Sequence, residues 1–208
     1  MGFATESYLR RAERDDLDTI LEWMEDSDFR YFLYGDDAQS ARQTREKIIM
    51  MLGRNTAQGM PGAVYLVIES KKGGLLGMIS LQNISWRNRS CNIDVYVGAK
   101  EQRNSMMAAL AVFRTLEYAF DELNMHRVSA FIYAFNPASW RIIEKAGAVR
   151  EITLEKHVLR DGVLYDAYGY GLLREEFEAV RNRHAASADK ASLKAMIAFL
   201  ADSGDAAS

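Results

Sequence analysis

A chain of 208 residues, 49% apolar and 26% charged, holds enough material for one domain with a substantial core and is short for two. A formal net charge of −3 gives no whole-molecule reason to bind nucleic acid. Two prolines without any biased tract argue against long disordered segments, and a single cysteine excludes an internal disulfide and cysteine-cluster zinc sites.

The N-terminal stretch has no apolar signal region, and no window approaches ~20 uninterrupted apolar residues. No membrane association is expected, and the protein is read as cytoplasmic. His126, His157 and His184 lie far apart without ligand spacing, so no metal is expected.

Residues 8–11 read as a short strand. Residues 15–25 read as a helix, with Leu17, Ile20, Leu21 and Met24 at helical spacing behind an acidic start. Residues 26–37 read as a loop dense in aromatics (Phe29, Tyr31, Phe32, Tyr34), ahead of a second helix over residues 40–55. Two strands, 63–69 and 75–83, flank the hairpin signal Lys71-Lys-Gly-Gly74. A third strand, 90–97, alternates Ile93, Val95 and Val97 against Asn92, Asp94 and Tyr96, and Cys91 within it reads as a small core residue rather than a nucleophile. A long helix over 105–123, a strand over 128–134 and a helix over 137–146 closed by Gly147 follow. The final hairpin, 151–160 with 163–172, turns at Asp161-Gly162, and a helix over 174–184 follows it. Leu193, Met196, Ile197 and Leu200 mark an added amphipathic helix in the tail. The order β-α-α-β-β-β-α-β-α-β-β points to a mixed sheet with helices on both faces.

The most specific stretch runs from Leu123 to Phe177. It holds Asn136-Pro-Ala-Ser139 after a strand, a helix ending Glu144-Lys-Ala-Gly147, the hairpin tip Arg160-Asp-Gly162, and the close Tyr170-Gly-Leu-Leu-Arg-Glu-Glu176. Each motif alone is weak, but in this order, with the right elements between them, they form a specific pattern. That pattern resembles the GNAT superfamily, in particular the branch containing ribosomal-protein N-terminal acetyltransferases and spermidine or amino-sugar acetyltransferases. A weaker upstream likeness begins at Tyr8, so the resemblance covers residues 8 to 183.

The resemblance implies an α/β (α+β) GNAT fold: a mixed, mostly antiparallel central sheet with helices on both faces, plus an extra C-terminal helix. Residues 1–184 would form the acyltransferase domain, with 185–208 an amphipathic helix and tail. That helix either covers the domain's own surface or packs on a partner subunit in a homodimer. Acetyl-CoA is the implied donor, and the acceptor a primary amine of a small molecule or peptide N-terminus, attacking directly in a ternary complex. Two other readings stay open: a GNAT-fold binding module without turnover, and an enzyme using a bulkier or carrier-bound acyl donor.

In relatives the fourth and fifth strands splay, and the pantetheine arm is held by main-chain groups, here those of Val95, Tyr96 and Val97. The pyrophosphate loop falls on Gln102, Arg103, Asn104, Ser105, Met106 and Met107. Gln102 matches the family, but Ser105 and Met107 replace small residues that let the backbone approach the phosphates. The loop is shifted, or grips the cofactor differently, or has lost it.

Ile143 stands where many relatives carry a tyrosine acid, which leaves Ser139 as the candidate donor to the thiolate, with Asn136 contacting the cofactor or a water. The same residues read equally as a helix start, with Asn136 at the N-cap and Pro137 at N1. Relatives often place a glutamate base at the position of Asn92. Asp94, two residues on, shares its face and is either a base in the cleft or a solvated charge. Phe29, Tyr31, Tyr34, His157 and Tyr165 are the candidate acceptor contacts.

Overall fold

The computed structural model describes residues 7–33, 38–52, 60–70, 73–98 and 105–184. Strands β1 (Ser7–Arg11), β2 (Val64–Ser70), β3 (Leu75–Ser85), β4 (Ser90–Val97), β5 (Arg127–Tyr133), β6 (Val149–Arg160) and β7 (Val163–Leu173) form one sheet in the order β1-β2-β3-β4-β5-β7-β6. Neighbours are antiparallel except β4 and β5, which run parallel because the chain between them passes through α4 (Ser105–Glu117). The fold is the mixed, mostly antiparallel sheet expected.

Strand alternation decides the two helix layers. Leu66, Ile79, Leu81 and Ile93 face α4, α5 (Pro137–Lys145) and α6 (Arg174–His184), which contribute Leu110, Leu116, Ile142, Ile143 and Phe177 to one core cluster. Val67 and Met78 point the other way, toward Ile20 and Met24 of α1 (Leu17–Met24), Phe29 of α2 (Ser27–Leu33) and Ile48 of α3 (Ala38–Leu52). Each large apolar side chain so buried contributes about 1.5–3 kcal/mol, and a one-residue slip would exchange the two faces. None of the described helices is long and apolar enough to cross a membrane.

The aromatic segment expected as a loop over 26–37 is helical in part. The Asp26 carboxylate accepts the Asp28 and Phe29 amides at 3.0 and 3.1 Å, capping α2, and the buried Phe29 anchors it. The helix expected over 105–123 ends its α portion at Glu117 and continues as a π turn over Tyr118–Glu122. The tail at 185–208 lies outside the described residues.

On the α1–α3 side, the rows Phe131–Gly169–Ile152 and Tyr133–Ala167–Leu154 run across β5, β7 and β6. Phe131, Ile152 and Leu154 are exposed there.

A charged brace ties the first helix layer to the sheet. Arg10 holds the buried Asp16 with two hydrogen bonds of 2.7 Å and also pairs with Glu69 on β2, while Asp16 accepts the Glu13 amide at 2.8 Å. Burial alone would raise the Asp16 carboxyl, but the Arg10 hydrogen bonds, the Glu13 amide and the Arg10 charge outweigh it and leave it below its ordinary value. A depressed carboxyl stabilises the fold above its unfolded value of about 3.9, and that contribution is lost as pH falls through the folded value. Arg10→Met is expected to lower the unfolding free energy by about 2–3 kcal/mol at neutral pH. In urea titrations that deficit should shrink as acid protonates Asp16.

Candidate active site

The sheet opens at its middle. β4 and β5 pair only through Ser90–Arg127, Cys91–Val128 and Asn92–Ser129. Past Asn92, β4 stays on β3 as far as the Gly77–Val97 pair, and β5 stays on β7 as far as Tyr133–Ala167. The Gly98 amide extends the β3 side, donating to the Leu76 carbonyl at 3.0 Å. The result is a wedge between two strands, each held by its outer neighbour, into which an extended ligand can lie as an added strand.

Tyr96 and Tyr133, near the open ends of β4 and β5, both line a cavity of about 820 Å³ on the α1–α3 side. Lys47 and Ile48 of α3, Phe29 of α2, and Tyr65, Ser80 and Gln82 of the sheet wall it, and residues 157–162 at the β6–β7 tip form its far side. Such a volume suits a small molecule or a chain terminus.

Asp94 lies one hydrogen bond behind this wall. The register sets Tyr65, Ser80 and Asp94 side by side across β2, β3 and β4. Ser80 Oγ donates to Asp94 Oδ2 at 3.2 Å and Gln82 Nε2 donates to the same oxygen at 2.7 Å. Gln82 Nε2 also reaches Ser80 Oγ at 2.9 Å, and Lys47 Nζ donates to Gln82 Oε1. Burial raises the Asp94 carboxyl above its ordinary value, although Ser80, Lys47 and Gln82 each pull it down. Burial and the Asp94 charge push the Tyr65 phenol up to about 12. Burial, then Asp94, Tyr65 and Tyr133, push the Tyr96 phenol far above its ordinary value. Both phenols are therefore neutral hydrogen-bonding groups at physiological pH.

The hairpin tip is tied to the helix layer by Arg160. Its Nε donates to the Tyr31 carbonyl at 2.9 Å, and its guanidinium lies over the rings of Tyr133 and Phe135 at 5.6 and 5.7 Å. Asp161 and Gly162 turn the chain with φ of 49° and 77°, the left-handed pair that a tight hairpin requires.

Of the residues expected at the site, Phe29, Tyr96 and His157 line the cavity, and Asp94 stands behind it. Tyr31 and Tyr165 stand back from the lining, packed against Phe135 at 5.2 and 5.0 Å. Val95 and Val97 lie on β4 beyond the last β4–β5 pair. Asn136 caps α5, its Oδ1 accepting the Ser139 amide at 3.3 Å. Ser139 is half-buried on the first turn of that helix. The backbone of Ser105, Met106 and Met107 forms the start of α4. Tyr34, Gln102, Arg103 and Asn104 lie outside the described residues. Ile143 is in the core, and so is Cys91, whose thiol burial pushes to about 11.

Sequence reasoning missed Lys47, Tyr65, Ser80, Gln82 and Tyr133. Met78, Ser80 and Gln82 alternate along β3, and that period-two polar insertion in an apolar strand was the available signal.

Comparison with known proteins agrees with this architecture. The acetyltransferase (GNAT) domain family matches residues 7–149, and the chain belongs to that family. YdaF of Bacillus subtilis (strain 168), provisionally named a ribosomal N-acetyltransferase, is 29% identical over 149 residues, covering 72% of this chain and 79% of YdaF. The spermidine N(1)-acetyltransferase of Vibrio cholerae is 25% identical over 111 residues, covering 53% of this chain and 64% of that protein. The crystal structure of spermidine N-acetyltransferase from Vibrio cholerae, in complex with CoA and spermine, superposes with a TM-score of 0.71 at 21% identity, over 84% of this chain and 99% of the other. The protein is thus a GNAT-type N-acetyltransferase.

One close contact at the wedge is directly testable. A Cβ on Gly98 would lie 2.0 Å from the Trp23 ring, so Gly98→Ala should overpack the junction of α1 and β4. The expected cost is about 1–3 kcal/mol in urea unfolding.

Proposed function

We propose that this protein moves the acetyl group of acetyl-CoA onto the primary amine of a small molecule or peptide N-terminus by direct attack. The observation that carries this reading is the β4–β5 ladder ending at Asn92. In it, the pantetheine arm lies in the wedge along the main chain of Val95, Tyr96 and Val97. Residues 102–107, with Arg103 and the first amides of α4, take the pyrophosphate, as a helix N-terminus can.

The acceptor amine enters from the cavity. Its ammonium gives a proton to Ser80 Oγ as Ser80 passes its own to Asp94, following the 3.2 Å hydrogen bond between them. The neutral amine then attacks the thioester carbonyl, the C–N bond forms, the nitrogen sheds its extra proton to solvent, and the C–S bond breaks. Ser139 donates a hydrogen bond to the departing thiolate, which is protonated from solvent, while Asn136 holds the first turn on which Ser139 sits. A covalent acyl-enzyme through Cys91 is not part of this reading, because that thiol is neutral and buried on the opposite side of the sheet. Phe29 and His157 contact the acceptor, while Tyr31 and Tyr165 stand back from it on Phe135.

Acetyl-CoA at 100 times its dissociation constant is expected to stabilise the protein by roughly 2.7 kcal/mol in a thermal titration. No shift with acetyl-CoA, CoA or a longer acyl-CoA would overturn the proposal, and a shift with the longer donor alone would replace acetyl by a bulkier group.

Asp94→Asn should leave acetyl-CoA binding intact and lower kcat/KM by at least ~100-fold. Because Asp94 accepts a proton only when ionised, wild-type kcat/KM falls as pH drops through its raised value, and this limb should vanish in the variant. Ser139→Ala should cost roughly 10–100-fold in kcat, the worth of one hydrogen bond to a charged group. Full activity in both variants would remove these roles and leave the family assignment standing.

A further inference from the structure

The cavity wall carries a feature that proton transfer does not use. The Tyr65 hydroxyl is buried and has no hydrogen-bond partner among the described residues, although Tyr65 lines the cavity. A desolvated polar atom without a partner is unfavourable, and native structures keep few of them. Lys47 is an exposed cation on the same wall. Its ammonium donates to the neutral Gln82 amide and has no carboxylate within ion-pair distance among the described residues. Both converge on one region, because Tyr65 shares a row with Ser80 and Asp94, and Lys47 reaches Asp94 through the single Gln82 side chain.

We propose that the acceptor is a primary amine that also carries a carboxylate, held by Lys47 and Tyr65 while its amine faces the Ser80–Asp94 pair. This rests on the acetyl transfer proposed above. A carboxylate is acceptor-only, so it satisfies an ammonium and a phenol hydroxyl at once. The charges along the wall disfavour a polyamine. Among the described lining residues, Lys47 and Arg160 are cationic, and the one carboxylate is Asp161 on the exposed hairpin turn. An ammonium bound near Asp94 would bring any second ammonium of a polyamine past Lys47, where like charges repel. The carboxylate of an amino acid, or of an acidic side chain beside a peptide N-terminus, meets the opposite sign.

Initial rates of CoA release at saturating acetyl-CoA test this with matched amines: butylamine, 4-aminobutyrate, glycine, a peptide with an acidic second residue, and spermidine. At least one carboxylated amine should exceed butylamine and spermidine in kcat/KM by ~10-fold or more. A preference for glycine and 4-aminobutyrate, or instead for the peptide, identifies the source of the carboxylate. Lys47→Ala and Tyr65→Phe should each raise KM for the preferred acceptor by ~10-fold, and any loss shared with butylamine through the Gln82–Asp94 contact should be several-fold smaller. Lys47→Glu should shift the preference toward spermidine. Wild-type enzyme that acetylates spermidine or butylamine as well as every carboxylated amine would overturn the acceptor class alone. So would a Lys47→Ala variant, folded by circular dichroism, that slows all amines equally. Absence of CoA release with every amine would overturn the transfer reaction itself, and this proposal with it.

Discussion

The structure depends on one interrupted ladder. β4 and β5 share three pairs and then part, because β4 remains bound to β3 and β5 to β7 along the rest of their lengths. Sheet twist accumulates between neighbouring strands, so a parallel pair released from mutual hydrogen bonding diverges. That divergence creates the wedge and sets Tyr96 and Tyr133 on either side of it. It also opens the wedge toward a cavity whose other walls come from helices and a distant hairpin. A sheet zipped to its end would leave no room for an extended ligand.

Around the wedge, the protein builds a region of low dielectric with few charges. Asp94, Tyr65 and Tyr96 are all displaced toward their neutral forms by burial, and the Asp94 charge adds to the shift of both phenols. Ser80 and Gln82 fix the Asp94 carboxylate, and Lys47 couples to it through Gln82. This is the arrangement by which a fold moves a carboxyl toward neutrality without leaving it unpaired.

The periphery holds that region together. The Arg10–Asp16 brace docks the first helix layer on the sheet, and Arg160 clamps the β6–β7 tip to the Tyr31 carbonyl of α2. Trp23 packs on Gly98 just past the end of β4, so the same helix layer that walls the cavity also shapes the mouth of the wedge. The position of α1–α3 is therefore coupled to both halves of the candidate site.

Much of the fold was written locally. Alternation in residues 90–97, the Asp161-Gly162 turn and the Asn136-Pro137 helix start are set by neighbouring residues, so among the described residues all seven strands and five of the six α-helices were legible from periodicity, capping and turn chemistry. The exception was α2, whose helix depends on an Asp26 cap and on Phe29 reaching a core that the sequence does not display. The site was legible only in part. Asp94 was visible as a polar residue on a strand, but its burial behind Ser80 and Gln82 arises from register across three strands. Lys47 and Tyr65 join that cluster from elements far apart in sequence, and Arg160 meets Tyr31 across 129 positions. By itself the sequence determined the elements and the family, because these rest on interactions within a few residues. Where β4 and β5 part, and which side chains meet in the space behind them, was decided only by the tertiary packing, because pairing and burial are shared among strands and helices remote along the chain.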